Sequence, residues 1–181
     1  MNLANKITLL RVFMIPAFLF VYLAQPFNRT PNLWVALVIF SVAAITDAID
    51  GYIARRYGQV SNFGKLIDPL ADKLLVCSAL VAYVASGTLP AWAVILLISR
   101  EFYVSGLRQL AVERGTVLAA SGWAKFKTAA QLTLVIYMLV PIEMLRFEWL
   151  VTVLLAVAIF ASVFSAVDYT VKNKEIFVTR V

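Results

Sequence analysis

The chain alternates between long apolar runs and short polar breaks. A helix needs about 20 mostly apolar residues to cross a bilayer. Six runs approach that length, at residues 8–25, 32–55, 66–86, 89–112, 120–141 and 147–171. Proline and glycine occur in most of the breaks, as expected where helices end. The pattern predicts an all-α integral membrane protein with six transmembrane helices, the first retained because YLAQPF offers no signal-peptide cleavage site.

Lysine and arginine are distributed unevenly between the two sides of this predicted bundle. With six spans, both termini and the second and fourth connections share one side. That side carries Lys6, Arg55, Arg56, Lys65, Arg114, Lys125, Lys127, Lys172, Lys174 and Arg180. The opposite connections hold only Arg29 and Arg146. The positive-inside rule therefore predicts cytoplasmic termini in a multi-pass protein of the cell membrane.

Composition agrees with a compact membrane domain. The chain has 181 residues, of which 62% are hydrophobic and 14% charged, so we expect one domain over residues 1–181. The net charge of +6 is explained by basic residues that meet anionic lipid headgroups, and nucleic acid is not an expected partner. The absence of histidine excludes histidine bases and most zinc sites. A single cysteine, Cys77, excludes an internal disulfide.

Four aspartates lie where the second and third apolar segments meet. Asp47 and Asp50 are three residues apart, and Asp68 and Asp72 are four apart, so each pair shares one helical face. The short turn between the segments brings the helices alongside, which allows the four carboxylates to converge. Oxygen ligands at this density suit two Mg²⁺ or Mn²⁺ ions, and such a pair suits a displacement at phosphorus.

Other interpretations of these aspartates stay open. They could pair with neighbouring basic residues, namely Arg55, Arg56, Lys65 and Lys73. They could hold a structural ion in a scaffold, or belong to a divalent-cation transporter. Transporter sites lie at the midplane between inverted repeats, whereas these acids lie at one end and no repeat is visible. Gly51 and Gly64 leave room beside the acids for a flat ligand, although helix packing also uses such glycines.

The motif Asp47-x2-Asp50-Gly51-x2-Ala54-Arg55-x8-Gly64-x3-Asp68-x3-Asp72 resembles the complete signature of the CDP-alcohol phosphotransferases. The resemblance implies a six-helix membrane enzyme of that fold, usually a homodimer. Such an enzyme moves a phosphatidyl or similar group from a CDP-linked donor to an alcohol and releases CMP. It also implies that Asp47, Asp50 and Asp68 ligate the metals, while Asp72 both ligates and serves as the base. The remaining fixed positions, Gly51, Ala54, Arg55 and Gly64, are then expected at the CDP site.

The first helix adds polar residues on one face. Asn5, Thr8 and Arg11 recur every three residues. Asn5 could simply cap the helix, and Arg11 could extend its charge toward the headgroups. The functional interpretation places Asn5 and Thr8 on the nucleotide or its phosphates.

Basic residues of the fourth and fifth helices bear on the acceptor alcohol. Arg108, Lys125 and Lys127 are expected to form a small cationic pocket beside the metals, with Arg100 as a further contact for a phosphate. The lysines could instead only meet lipid headgroups. Arg100 could pair with Glu101, but adjacent residues of a helix do not face one another. The alternative is that both side chains face a polar cavity within the bundle.

A cationic pocket favours an anionic acceptor, and glycerol 3-phosphate fits. The REF…GLR and KxKT stretches also resemble the branch of the family that makes phosphatidylglycerol phosphate from CDP-diacylglycerol. That branch commonly has glycine where this chain has Ala124. Another acceptor of the same family, such as an inositol phosphate, stays open.

Overall fold

The computed structural model describes the backbone of residues 3–26, 29–57, 62–113, 122–141 and 147–174. Side chains are described for residues 10–26, 29–46, 73–112, 122–141 and 147–174. Within these ranges the regular structure is entirely helical. The six helices are α1 (Leu3–Leu19), α2 (Arg29–Tyr57), α3 (Asn62–Ala85), α4 (Ala91–Glu113), α5 (Gly122–Leu139) and α6 (Glu148–Lys172).

Each of the six predicted apolar segments overlaps one of these helices, so the all-helical prediction is confirmed for the described residues. Two stretches, Arg29–Thr46 and Glu148–Lys172, are long and apolar enough to cross a membrane, and Leu10–Ala24 and Lys73–Ala85 are shorter apolar helical stretches. Large apolar side chains are widely exposed, including Phe13 at 72%, Phe102 at 72% and Ile95 at 63%. A surface this apolar suits contact with lipid rather than water.

Helix α1 is continuous through Pro16 and ends in a π-helical turn at Phe20–Ala24. Proline lacks the N–H that would bond to the carbonyl four residues earlier, yet membrane helices tolerate such a gap where neighbouring groups compensate. Gln25 then adopts a left-handed conformation, with φ 46°. A left-handed residue followed by Pro26 is a common way to end a helix.

The chain divides into two compact units. The first contains residues 1–89 and 135–146, and the second contains residues 90–134 and 147–181. In the first unit α1 packs against both α2 and α3, and α2 also packs against α3. Small residues, including Ala36, Ala43 and Ala79, are fully buried. Small side chains let membrane helices approach closely, which explains how three helices share one core.

Aromatic rings fill the core of the first unit. Phe18 lies 5.8 Å from Phe40, and Tyr22 meets Tyr83 edge-on at 5.3 Å between ring centroids. The Tyr83 hydroxyl donates a hydrogen bond to the Val135 carbonyl at 2.8 Å. This buried contact joins the end of α3 to the last turns of α5.

Replacing Tyr83 with phenylalanine is expected to destabilise the first unit. The change removes one buried hydrogen bond, which lowers the free energy of unfolding by about 1 kcal/mol. The thermal midpoint of the purified protein in detergent should then fall by roughly 2–4 °C. Tyr103→Phe is the matched control, because Tyr103 is 41% exposed and shares its hydroxyl contact with Thr170 near the surface. An equal fall in both variants would contradict the assignment.

Candidate active site

The four aspartates lie on two described helices, but their side chains lie outside the described part of the structure. Asp47 and Asp50 belong to α2, and Asp68 and Asp72 belong to α3. For the residues predicted at the CDP site, the structure likewise describes only the backbone. They are Asn5 and Thr8 in α1, Gly51, Ala54 and Arg55 in α2, and Gly64 in α3. The roles of all these residues therefore stay predictions.

The described side chains include no group of three or more histidine, cysteine, aspartate or glutamate residues that could hold a metal ion. The metal hypothesis consequently depends on the four aspartates, whose side chains are outside that set. Their donor chemistry fits the ions proposed from sequence, since four carboxylates provide only hard oxygen ligands. Neither a soft thiolate nor an imidazole occurs in the motif.

The register of α2 relates the first aspartate pair to the core. Ala36, Phe40 and Ala43 are all fully buried, and they recur at alternating spacings of four and three. Positions 47 and 50 continue that spacing along the same unbroken helix. Residues spaced this way share one helical face. The positions of Asp47 and Asp50 therefore lie in line with the buried residues of α2.

The register of α3 gives the same result for the second pair. Leu75, Ala79 and Ala82 are at most 3% exposed and again alternate spacings of four and three. Positions 68 and 72 precede them at the same spacing in one continuous helix. The two aspartate pairs thus occupy positions that continue the core-facing stripes of two helices in the same unit.

Arg11, in the same unit, is only 1% exposed. The side chain is therefore enclosed by the surrounding protein, and its extension toward lipid headgroups stays a prediction. Arg11 follows Thr8 by three residues in α1, so the two positions share a helical face.

In the second unit, α4 and α6 are joined by a row of polar contacts. Arg100 Nη2 donates to Ser165 Oγ. Further along, the hydroxyls of Tyr103 and Thr170 share a hydrogen bond of 2.8 Å, and Arg108 Nη2 donates to the Tyr169 hydroxyl at 2.6 Å. The Arg108 guanidinium also lies 5.4 Å from the Tyr169 ring centroid. These contacts fix the side chains of two predicted phosphate-binding arginines.

Glu101 connects two of the predicted basic residues. Its Oε1 contacts Lys127 Nζ and lies 3.4 Å from Arg100 Nη1. The expectation that neighbours on a helix would not pair was therefore wrong for Arg100 and Glu101. Both side chains are long enough to bend toward a common point beside α5, so the angle between their Cβ directions does not keep them apart.

The other two predicted acceptor residues differ in exposure. Arg108 and Lys125 are exposed, whereas Arg100 and Lys127 are 9% and 4% exposed. Arg108 and Lys125 are thus accessible for an ionic ligand, while Arg100 and Lys127 are held by Glu101. The structure therefore divides the predicted basic set into an accessible pair and a buried pair.

Sequence reasoning missed Ser165 and Tyr169 as partners of these arginines. Both are buried in α6, at 0% and 2% exposure. The signal that could have found them is their spacing of four, which places both on one face of α6. Polar residues that recur on one face of a membrane helix commonly face other helices.

A family model for CDP-alcohol phosphatidyltransferase matches residues 1–166. Among curated relatives, the chain is 43% identical over 187 residues to CDP-diacylglycerol–glycerol-3-phosphate 3-phosphatidyltransferase of Bacillus subtilis, covering 96% of both chains. It is 38% identical to a probable phosphatidylglycerophosphate synthase of Mycobacterium tuberculosis, covering 94% of this chain and 81% of the relative. It is also 38% identical to CDP-diacylglycerol–glycerol-3-phosphate 3-phosphatidyltransferase of Haemophilus influenzae, covering 72% of this chain and 71% of the relative.

Proposed function

Since the chain belongs to the CDP-alcohol phosphatidyltransferase family, we propose that it transfers the phosphatidyl group of CDP-diacylglycerol to glycerol 3-phosphate. The products are phosphatidylglycerol phosphate and CMP. The observation that carries the choice of acceptor is the Bacillus relative named for this reaction, which matches over 96% of both chains. The cationic side chains of the second unit agree with an anionic acceptor.

Asp47, Asp50, Asp68 and Asp72 are the residues that would hold two Mg²⁺ or Mn²⁺ ions. Divalent cations bound there would offset the negative charge of the donor diphosphate and the departing CMP. Support comes from the all-carboxylate donor set and from the four positions, which continue the spacing of the buried residues described in α2 and α3. Enzymes of this family generally use a divalent metal, which agrees with the assignment.

The reaction needs one proton acceptor, and we assign it to Asp72. The Asp72 carboxylate removes the proton from the acceptor hydroxyl, whose oxygen attacks the phosphorus that bears diacylglycerol. The bond from that phosphorus to the CMP oxygen breaks as the new bond forms. Asn5, Thr8, Gly51, Ala54, Arg55 and Gly64 are assigned to the CDP portion of the donor.

The acceptor phosphate is assigned to Arg108 and Lys125, with Lys127 and Arg100 as further contacts. Arginine offers a planar fork for phosphate and lysine a point charge. The exposure of Arg108 and Lys125 supports a direct contact with the acceptor. Arg100 and Lys127 are buried, which supports a secondary contact of these two residues with the phosphate.

Replacing Arg108 with glutamine is expected to raise the KM for glycerol 3-phosphate by roughly 10- to 100-fold, since a charge-assisted hydrogen bond contributes about 1.5–3 kcal/mol. The KM for CDP-diacylglycerol should stay unchanged. Arg29→Gln is the matched control, because Arg29 is also exposed but lies at the start of α2. Steady-state kinetics with each substrate varied separately provide the test, and an unchanged acceptor KM in Arg108→Gln would remove Arg108 from the site.

The reaction itself is tested with purified protein and a panel of acceptor alcohols. CMP release from CDP-diacylglycerol should require glycerol 3-phosphate, and mass spectrometry should identify phosphatidylglycerol phosphate. A preference for an inositol phosphate would replace the acceptor and keep the reaction class. Metal flux into liposomes without any CMP release would instead support a divalent-cation transporter.

The full membrane arrangement is also part of the proposal. Six helices cross the membrane, and both termini and the active site face the cytoplasm. Residues 1–181 form a single domain that includes both compact units, and the chain assembles as a homodimer. Cationic residues concentrated on one side of the predicted bundle support this orientation. Membrane lipid and CDP-diacylglycerol then reach the site from within the bilayer.

Thiol labelling tests the orientation at the two ends of α6. In a Cys77→Ala background, Phe147→Cys should react with a membrane-impermeant reagent on intact cells. Lys174→Cys should react only after the membrane is permeabilised. Both positions are exposed, so access in the folded protein does not limit labelling. Equal labelling of both variants on intact cells would contradict a membrane-crossing α6.

A further inference from the structure

Glu101 is an acidic side chain enclosed by two basic ones in the second unit. The Glu101 side chain is 13% exposed, while those of Arg100 and Lys127 are 8% and 5% exposed. Its Oε1 contacts Lys127 Nζ and approaches Arg100 Nη1 at 3.4 Å. All three ionic groups are therefore largely removed from solvent.

The trio has an excess of one positive charge. Two buried cations would repel each other, and a carboxylate that contacts both is what keeps them together. With one negative charge against two positive charges, the cluster still favours an anionic group nearby. A phosphate monoester is such a group, whereas a neutral alcohol gains nothing from the excess charge.

Arg100 is fixed at two separate nitrogens. Nη1 approaches Glu101, and Nη2 donates to Ser165 Oγ on α6. Because a guanidinium is planar, contacts at two nitrogens define the orientation of the whole group. Arg100 Nε is buried and has no hydrogen-bond partner in the described part of the chain. The guanidinium is thus oriented without using all its donors.

We propose that Glu101 is a positioning residue for the acceptor: it holds Lys127 and Arg100 in the arrangement that binds the phosphate of glycerol 3-phosphate. The inference rests on the proposed function, because it assigns Glu101 a task in binding that acceptor. Glu101 does not contact the reacting atoms. It acts through the two cations, and Ser165 supports it by fixing Arg100 from the other side.

A purely structural role for Glu101 makes a different kinetic prediction. If the ion cluster only joined α4 to α5, its loss would reduce the amount of folded enzyme or affect both substrates alike. A positioning role acts on one substrate. The separation of acceptor KM from donor KM is therefore the decisive readout.

Glu101→Gln preserves the side-chain shape and removes the charge. The KM for glycerol 3-phosphate is expected to rise by about 10- to 100-fold, because displaced binding groups have effects of this size. The KM for CDP-diacylglycerol and the kcat at saturating acceptor should be retained. An unchanged acceptor KM, a lower acceptor KM, or equal rises in both KM values would each overturn the proposal.

A serine pair provides a second test that does not alter any charge. Ser165 and Ser162 are both fully buried on α6, but only Ser165 accepts a hydrogen bond from Arg100, and Ser162 Oγ has no partner among the described residues. Ser165→Ala should raise the acceptor KM by about 3- to 10-fold, and Ser162→Ala should not. Equal effects in the two alanine variants would overturn the proposal. This test also applies if Glu101→Gln fails to fold.

The choice of acceptor and the role of Glu101 are separated by the wild-type assay. If the wild-type protein uses another acceptor, the proposed function is wrong, and the role of Glu101 in binding glycerol 3-phosphate is wrong with it. If the wild-type protein uses glycerol 3-phosphate and Glu101→Gln retains its acceptor KM, only the positioning role is wrong.

Discussion

Replacing Asp72 with asparagine is expected to reduce turnover by at least about 1,000-fold. A general base alone contributes roughly 10²- to 10⁴-fold, and Asp72 is also assigned to metal binding. Asparagine has nearly the same shape but cannot accept the hydroxyl proton at neutral pH. The measurement is CMP release by the purified variant, with folding checked by gel filtration and thermal unfolding in detergent.

Glu148→Gln is the control for this result. Glu148 is an exposed carboxylate in the first turn of α6, so its conversion to an amide tests the general effect of losing one negative charge. Its turnover should equal that of the wild type. Full turnover in Asp72→Asn would show that another group accepts the proton, and the assigned role of Asp72 would be abandoned.

Removing divalent cations is expected to lower turnover by more than about 100-fold. Metal ions stabilise the charge of the transition state, and this effect lowers the activation free energy by several kcal/mol. Without counter-ions, four neighbouring carboxylates would repel each other and the diphosphate of the donor. The measurement is CMP release after treatment with EDTA, followed by addition of Mg²⁺ or Mn²⁺, either of which should restore activity.

EDTA already saturated with Mg²⁺ separates chelation from other effects of the reagent. Activity should be unchanged in that control. Undiminished CMP release from protein that elemental analysis finds free of metal would contradict a role for divalent cations.

The placement of the helices could be predicted because a bilayer requires apolar length, and six apolar runs are visible in the sequence. Their ends could not be predicted as well. Helix α1 begins at Leu3 rather than residue 8, and α3 begins at Asn62 rather than residue 66. Polar residues continue a helix through backbone hydrogen bonds without adding to hydropathy. An apolar window therefore marks the part suited to lipid and misses polar turns.

The local backbone conformation of α1 also could not be predicted from the sequence pattern. Pro16 could have ended or bent the helix, yet the helix continues and a π-helical turn follows at Phe20–Ala24. Whether a proline is tolerated depends on neighbouring groups that compensate for the missing donor. Those neighbours come from the packed structure and cannot be read from α1 alone.

For the candidate site, the sequence identified residue types more readily than contacts. The spacing of the aspartates predicted their helical faces, and their positions continue the spacing of the buried residues described in α2 and α3. It did not predict that Glu101 would lie between Arg100 and Lys127, since Lys127 is 26 residues away and on another helix. It also missed Ser165, which is 65 residues from Arg100. Contacts over such separations depend on how the helices pack.

Anomalous diffraction from crystals grown with Mn²⁺ and CMP would test the metal site most directly. Two anomalous peaks, ligated by Asp47, Asp50, Asp68 and Asp72, are the predicted result. No peak at these carboxylates, or aspartates of α2 and α3 directed toward opposite sides of the bundle, would contradict the account.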